Sequence, residues 1–126
     1  MLFYSFESQE QRNRFGGCLV EMQFCRWPDD TEQEKLMGYY SFGKLDSLYF
    51  DDESPFYREY GHIFNCGMYA NGERGPVDLY GINYYAPSLV DSIIEMVVAD
   101  KPMEYEILVD WLRKAKQYNG FYIYGI

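Results

Sequence analysis

The chain has 126 residues, a formal net charge of −9, 48% apolar residues and 20% aromatic residues. That length fits one domain, residues 1–126, with a core that needs no disulfide or metal staple. Its aromatic content excludes intrinsic disorder, and no stretch approaches the roughly 18 uncharged apolar residues that a membrane helix needs.

The amino-terminal segment MLFYSFESQEQR lacks a basic start and reaches Glu7 quickly, so it does not read as a secretory leader. Residues 2–6, LFYSF, read as a first strand, and ESQEQRNRF as helix-compatible, ended by Gly16-Gly17. Residues 18–27 put Cys18, Val20, Met22 and Phe24 at a period of two, a strand with one buried side. Pro28-Asp29-Asp30 breaks it, and TEQEK reads as a solvated connection. Residues 39–50 read as strand with a bend or bulge at Gly43. DDESP is a polar turn, or the start of a short helix with Ser54 as cap and Pro55 in the first turn. Residues 62–69 and 77–85 are β-rich, and ANGERGP between them predicts a hairpin.

The last third switches period. Pro87 stands at a helix entrance, Ser88-x-x-Asp91 has the form of a capping box, and Leu89, Val90, Ile93, Ile94, Val97 and Val98 recur at helical spacing. A second helix follows Pro102, with a stripe of Met103, Ile107, Leu108, Trp111, Leu112 and Ala115. Glu104 and Glu106 in its first turn and Arg113, Lys114 and Lys116 near its last suit the helix dipole. Asn119-Gly120 supplies a left-handed stop before a final strand, FYIYGI. The expected fold is α+β: a mainly antiparallel sheet of about five or six strands, with two C-terminal helices packed on one face. Residues 18–26 and 77–85 belong to that sheet, and the first and last strands are expected side by side.

Little in the sequence announces chemistry. An odd set of cysteines, Cys18, Cys25 and Cys66, without a C-x-x-C pair reads as three small buried hydrophobes in a reduced, cytoplasmic protein. His62 is the single histidine. On a strand it would share a face with Cys66 at about 13 Å, out of reach for nucleophile activation. Neither G-x-G-x-x-G nor the phosphate loop G-x-x-x-x-G-K-[ST] occurs, so no nucleotide cofactor is implied. The reading is of no enzyme, no cofactor and no metal site.

The charge is uneven. Residues 29–59 hold nine acids against Lys35, Lys44 and Arg58, a net of −6, while residues 113–126 carry a net of +3. Such acidity disfavours nucleic acid and anionic membrane surfaces and favours a basic protein partner. There are fourteen tyrosines, and residues 39–69 alone carry ten aromatics interleaved with acids. Phe42, Phe50 and Phe64 are assigned to the core. Exposure is expected for some of Tyr49, Tyr57 and Tyr60, since tyrosine is favoured at interfaces.

The stretch GINYYAPSLVDSIIEMV, followed by EYEILVDWLRKAKQYNGFYIYGI, resembles immunity proteins of bacterial toxin–immunity pairs of the contact-dependent growth inhibition type. The resemblance implies specific binding of a cognate toxin domain, often a nuclease, and blockage of its active site. The expected partner surface is residues 46–59 with a flanking patch: Asp46, Tyr49, Asp51, Asp52, Glu53, Tyr57, Glu59 and Tyr60, beside Asp29, Asp30, Glu32 and Glu34. An acidic face around Asp91, Glu95 and Asp100 is the next place to look for it. The alternative is a small-molecule or peptide binding module with an aromatic pocket.

Overall fold

A computed structural model describes residues 1–38 and 41–125. Phe3–Tyr4 forms β1, and Ser8 caps α1 (Gln9–Phe15) by accepting from the Gln11 N–H at 3.0 Å. Then come β2 (Leu19–Phe24), α2 (Gln33–Gly38), β3 (Leu48–Asp51) and α3 (Phe56–Tyr60). β4 (Gly67–Met68), β5 (Arg74–Gly75) and β6 (Ile82–Tyr85) follow. Helices α4 (Pro87–Asp100) and α5 (Tyr105–Ala115) lead to β7 (Phe121–Tyr124). The strands form one antiparallel sheet in the order β1-β3-β2-β7-β6-β4-β5. The expected α+β class holds, with α4 and α5 on one face. Both edge strands are only two residues long, which limits edge-to-edge pairing.

Strand alternation sorts the strand aromatics by whether they carry a hydroxyl, with Tyr85 the exception. Toward α4 and α5 point Phe3, Val20, Met22, Phe24, Phe50, Phe121 and Ile123, which pack with Val90, Ile93, Val97, Leu108 and Leu112. Rings stack through this layer: Phe50 on Phe56 at 4.0 Å, Phe24 on Trp111 at 4.4 Å, Tyr85 on Phe121 at 4.7 Å between centroids. To the other face point Tyr4, Tyr49, Tyr84, Tyr122 and Tyr124, the strand neighbours of those residues. There α1 lays Phe15 on Tyr4, and α2 lays Leu36 and Met37 over the Tyr84–Tyr122–Tyr124 cluster. The sheet is covered on both sides, so Glu21 and Gln23 are buried and β2 has no solvent face, contrary to the expectation of one buried side.

Several local expectations are corrected. TEQEK is solvated as expected, but from Gln33 on it belongs to a helix, Gln33–Gly38, whose Leu36 and Met37 complete the second layer. Of residues 41–50, only those from Leu48 on are strand; Gly43 sits at φ +87° in a loop, and Tyr39 and Tyr40 lie outside the described residues. Residues 62–66 form turns rather than strand, and the expected hairpin connection contains a strand of its own, β5. Ser88 does not cap: Ala86 is the N-cap, with no side-chain bond, and Pro87 opens the helix. Val98, Met103 and Ile107 are exposed, whereas Val109 is buried. β1 and β7 are not neighbours; β3 and β2 lie between them.

The connection after α5 depends on Gly120, at φ +76°, where an added Cβ would lie 2.0 Å from the Tyr85 carbonyl oxygen. Only glycine combines that conformation with so close an approach.

Candidate functional site

Glu21 illustrates how the second layer is built. Its carboxylate, 1% exposed, accepts from the Gly43 and Lys44 N–H groups at 2.7 and 3.0 Å. It also accepts from the Ser47 hydroxyl at 2.6 Å, the Gln23 amide at 3.1 Å and the Tyr49 hydroxyl at 3.3 Å. Buried charge is tolerated only when its lone pairs are taken up in this way. The carboxylate therefore anchors the 41–47 loop on the sheet, and Trp111 Nε1, donating to the Asp46 carbonyl at 2.9 Å, ties the same loop to α5.

Tyrosine hydroxyls tether this loop and other segments. Tyr49 donates to Lys44 O at 2.7 Å, Tyr84 to Asn119 O at 2.6 Å, and Tyr122 to Leu36 O at 2.8 Å. In the first layer Tyr60 donates to Met103 O at 2.6 Å and Tyr85 to Phe64 O at 2.8 Å. Burial, with Glu21 nearby, pushes the Tyr49 phenol up to about 12, and burial likewise raises Tyr60, Tyr84, Tyr85 and Tyr122. Much of the tyrosine richness is thus structural.

The expected partner surface divides accordingly. Tyr49 and Tyr60 are fully buried and present nothing to a partner, whereas Tyr57 is 43% exposed. Phe50 and Phe64 are core as expected, but Phe42 is 53% exposed, with its edge on Tyr124 at 5.7 Å. Asp51 pairs with Leu19 at one end of β2, while Asp46 forms an ion pair with Arg26 beyond the other end. Six strand residues separate these ends by about 17 Å, so Asp46 and the Asp51–Glu53 turn stand at opposite ends of β2. Asp51 accepts from the Glu53 N–H at 2.8 Å, Asp52 N–H donates to Cys18 O at 3.1 Å, and Glu53 is exposed. Glu59 accepts from the Met103 N–H at 2.7 Å and fastens α3 to the α4–α5 connection. Asp29, Asp30, Glu32 and Glu34 are exposed, and none enters an ion pair among the described residues.

Beside that patch lies a feature the sequence reading did not find. Gln23, Tyr122 and Tyr124 from the tyrosine face, with Trp27, Ser41 and Lys44 around them, line a cavity of about 250 Å³ that also touches Arg26. A neighbouring depression runs from Trp27 and Asp29 to Lys116 and Tyr118. The available signal was Tyr122 and Tyr124 at alternate places in FYIYGI: a second face that is neither charged nor apolar must be covered, and incomplete cover leaves a hollow.

His62 is exposed and lies 3.0 Å from Asp100 Oδ2; Cys66 Sγ points to Ile63 O at 3.9 Å instead. Burial pushes the Cys25 and Cys66 thiols up, away from the reactive thiolate. Cys18, expected to be buried, is exposed just ahead of β2. Among the described residues no three Cys, His, Asp or Glu side chains gather in a way that would hold a metal. No described helix is long and apolar enough to cross a membrane. No family model, curated protein or solved structure matches the chain.

Proposed function

We propose that the protein is an acidic immunity protein that binds a basic toxin domain, a nuclease by preference, and neutralises it by covering its active site. One observation carries this reading. Asp29, Asp30, Glu32 and Glu34 present four exposed carboxylates within six residues, with no ion pair among the described residues. Asp29, Asp30 and Glu32 sit on a connection held at both ends, by β2 and by the docked helix α2, and Glu34 sits in the first turn of α2, so their charges are displayed from a fixed base. Carboxylates so placed stand where a nuclease's basic groups receive phosphates, and they raise the rate of encounter with a positive surface. Trp27, half-buried beside Asp29, supplies an aromatic anchor next to the charges.

The test is to express the reading frame adjacent to this one in its source genome, alone and together with this chain. The expected result is growth arrest by that product, relief by co-expression, and a stable complex in gel filtration. Reversing Asp29, Asp30, Glu32 and Glu34 to Lys should slow association at low salt, with a smaller effect at high salt, where screening has already weakened the field. A toxic neighbour that does not bind this chain, or association unchanged by the four reversals, overturns the assignment.

A further inference from the structure

The cavity over the tyrosine face is a different matter from the acidic patch, and its chemistry is opposite in sign. In a chain of net charge −9, its charged lining residues are both cations, Arg26 and Lys44. Arg26 is committed: its guanidinium pairs with Asp46 and lies over the Tyr118 ring at 5.5 Å. Lys44 is held by its backbone, through Glu21 and Tyr49, while its ammonium has no ion pair or hydrogen bond among the described residues. Gln23 is oriented the same way. Its amide N–H groups donate to Glu21 Oε2 and to Ser41 O at 2.7 Å, leaving Oε1 with no donor among the described residues. The Tyr122 and Tyr124 rings lie nearly parallel, 4.8 Å apart and 16° from coplanar, and Trp27 adds a third aromatic wall.

Size and charge narrow the ligand. A cavity of about 150 Å³ suffices for benzene, so 250 Å³ admits a substituted or fused ring. Aromatic walls favour a flat occupant, the single uncommitted ammonium suits one negative charge, and Gln23 Oε1 suits a ring N–H. The surrounding negative field of the chain works against a dianion such as a nucleoside monophosphate.

We propose that this pocket binds a small planar aromatic carboxylate of one or two rings, with Lys44 on the carboxylate and Gln23 on a ring N–H. The proposal does not depend on the toxin-binding reading and can fail separately from it.

Indole-3-carboxylate titrated into the full chain tests it, followed by calorimetry and by ¹H–¹⁵N spectra. Trp111 is the internal control, because its ring lies on the opposite face of the sheet, stacked on Phe24, and is not part of the cavity lining. The expected result is saturable binding, with shifts at the Trp27 indole and the Gln23 side-chain amide and none at Trp111. The uncharged indole-3-carboxamide should bind about tenfold more weakly, the loss that follows from removing a charge-assisted contact. Lys44→Gln should abolish that difference while leaving the thermal midpoint unchanged. If Lys44→Gln fails to fold, the carboxylate–carboxamide comparison on the unaltered chain still decides. Absence of saturable binding, equal affinity for the carboxamide, shifts located away from Trp27 and Gln23, or tighter binding of adenosine monophosphate each overturns the proposal.

Discussion

Tyr122 and Tyr57 show two uses of the same side chain. The Tyr122 hydroxyl is buried and donates to Leu36 O, so it holds α2 on the sheet; the Tyr57 hydroxyl has no hydrogen bond among the described residues, and its ring is 43% exposed. Tyr122→Phe leaves a buried carbonyl unpaired and is expected to cost about 1–3 kcal/mol, whereas Tyr57→Phe should stay within about 0.5 kcal/mol. Urea unfolding of the two variants checks both values. The buried phenols also set an alkaline limit. Tyr49 ionises at about 12 in the folded chain, above its ordinary value of 10, so the unfolded chain loses this proton first. Its contribution to stability is complete below pH 10 and is lost as pH rises toward 12. The expected outcome is that tyrosinate absorbance from the buried rings appears together with loss of structure. Absorbance that rises fully before the fold is lost would contradict it.

At the scale of elements, glycine positions separate conformational strain from collision. Gly16 and Gly120 share φ near +75°, but a Cβ on Gly16 meets nothing within 4 Å, while one on Gly120 strikes the Tyr85 carbonyl at 2.0 Å. Gly16, with ψ 180°, lies in a region essentially reserved for glycine, so Gly16→Ala should cost about 1–3 kcal/mol from backbone strain alone. Gly120→Ala adds displacement of β6 or β7 and is expected to prevent cooperative folding, seen as loss of a sharp thermal transition. The elements legible in the sequence were those whose apolar residues kept one period for long enough. α4, α5 and β7 did so, and so did the core of β2. α2 was hidden because its six residues bury only Leu36 and Met37, too short a pattern to separate from a polar connection. The 41–47 loop read as strand because its aromatic and apolar residues mimic alternation, while its real determinant, the carboxylate of Glu21, lies twenty or more residues away in sequence. The same remoteness misplaced the site. Tyr49 and Tyr60 have the composition expected of an interface, yet their hydroxyl partners, Lys44 O and Met103 O, become visible only once the chain is folded.

For the whole molecule, charge is arranged to be tolerated rather than neutralised. The ion pairs among the described residues, such as Lys116–Asp91 at 2.9 Å, are on the surface, where each contributes little, and most of the acids enter none. Self-repulsion at net −9 should therefore outweigh pair attraction. Added sodium chloride, which shortens the screening length from about 10 Å at 0.1 M to about 3 Å at 1 M, is expected to raise the melting temperature. A melting temperature that falls with salt would show that the surface pairs dominate.

The position of β7 has a consequence for how the protein comes into being. It is the last strand in chain order and the middle one in space, with three strands on either side. Its register with β2, Glu21 opposite Tyr124, and with β6, Ile82 opposite Tyr124, is, among the described residues, the strand pairing that unites the two halves. On a ribosome adding roughly 5–20 residues per second, the two half-sheets are made seconds before the strand that joins them. Until it emerges, β2 and β6 each carry an open edge lined with apolar and aromatic side chains. The nascent chain is then most exposed to chance pairing with another copy of itself, and the interval ends when FYIY is released.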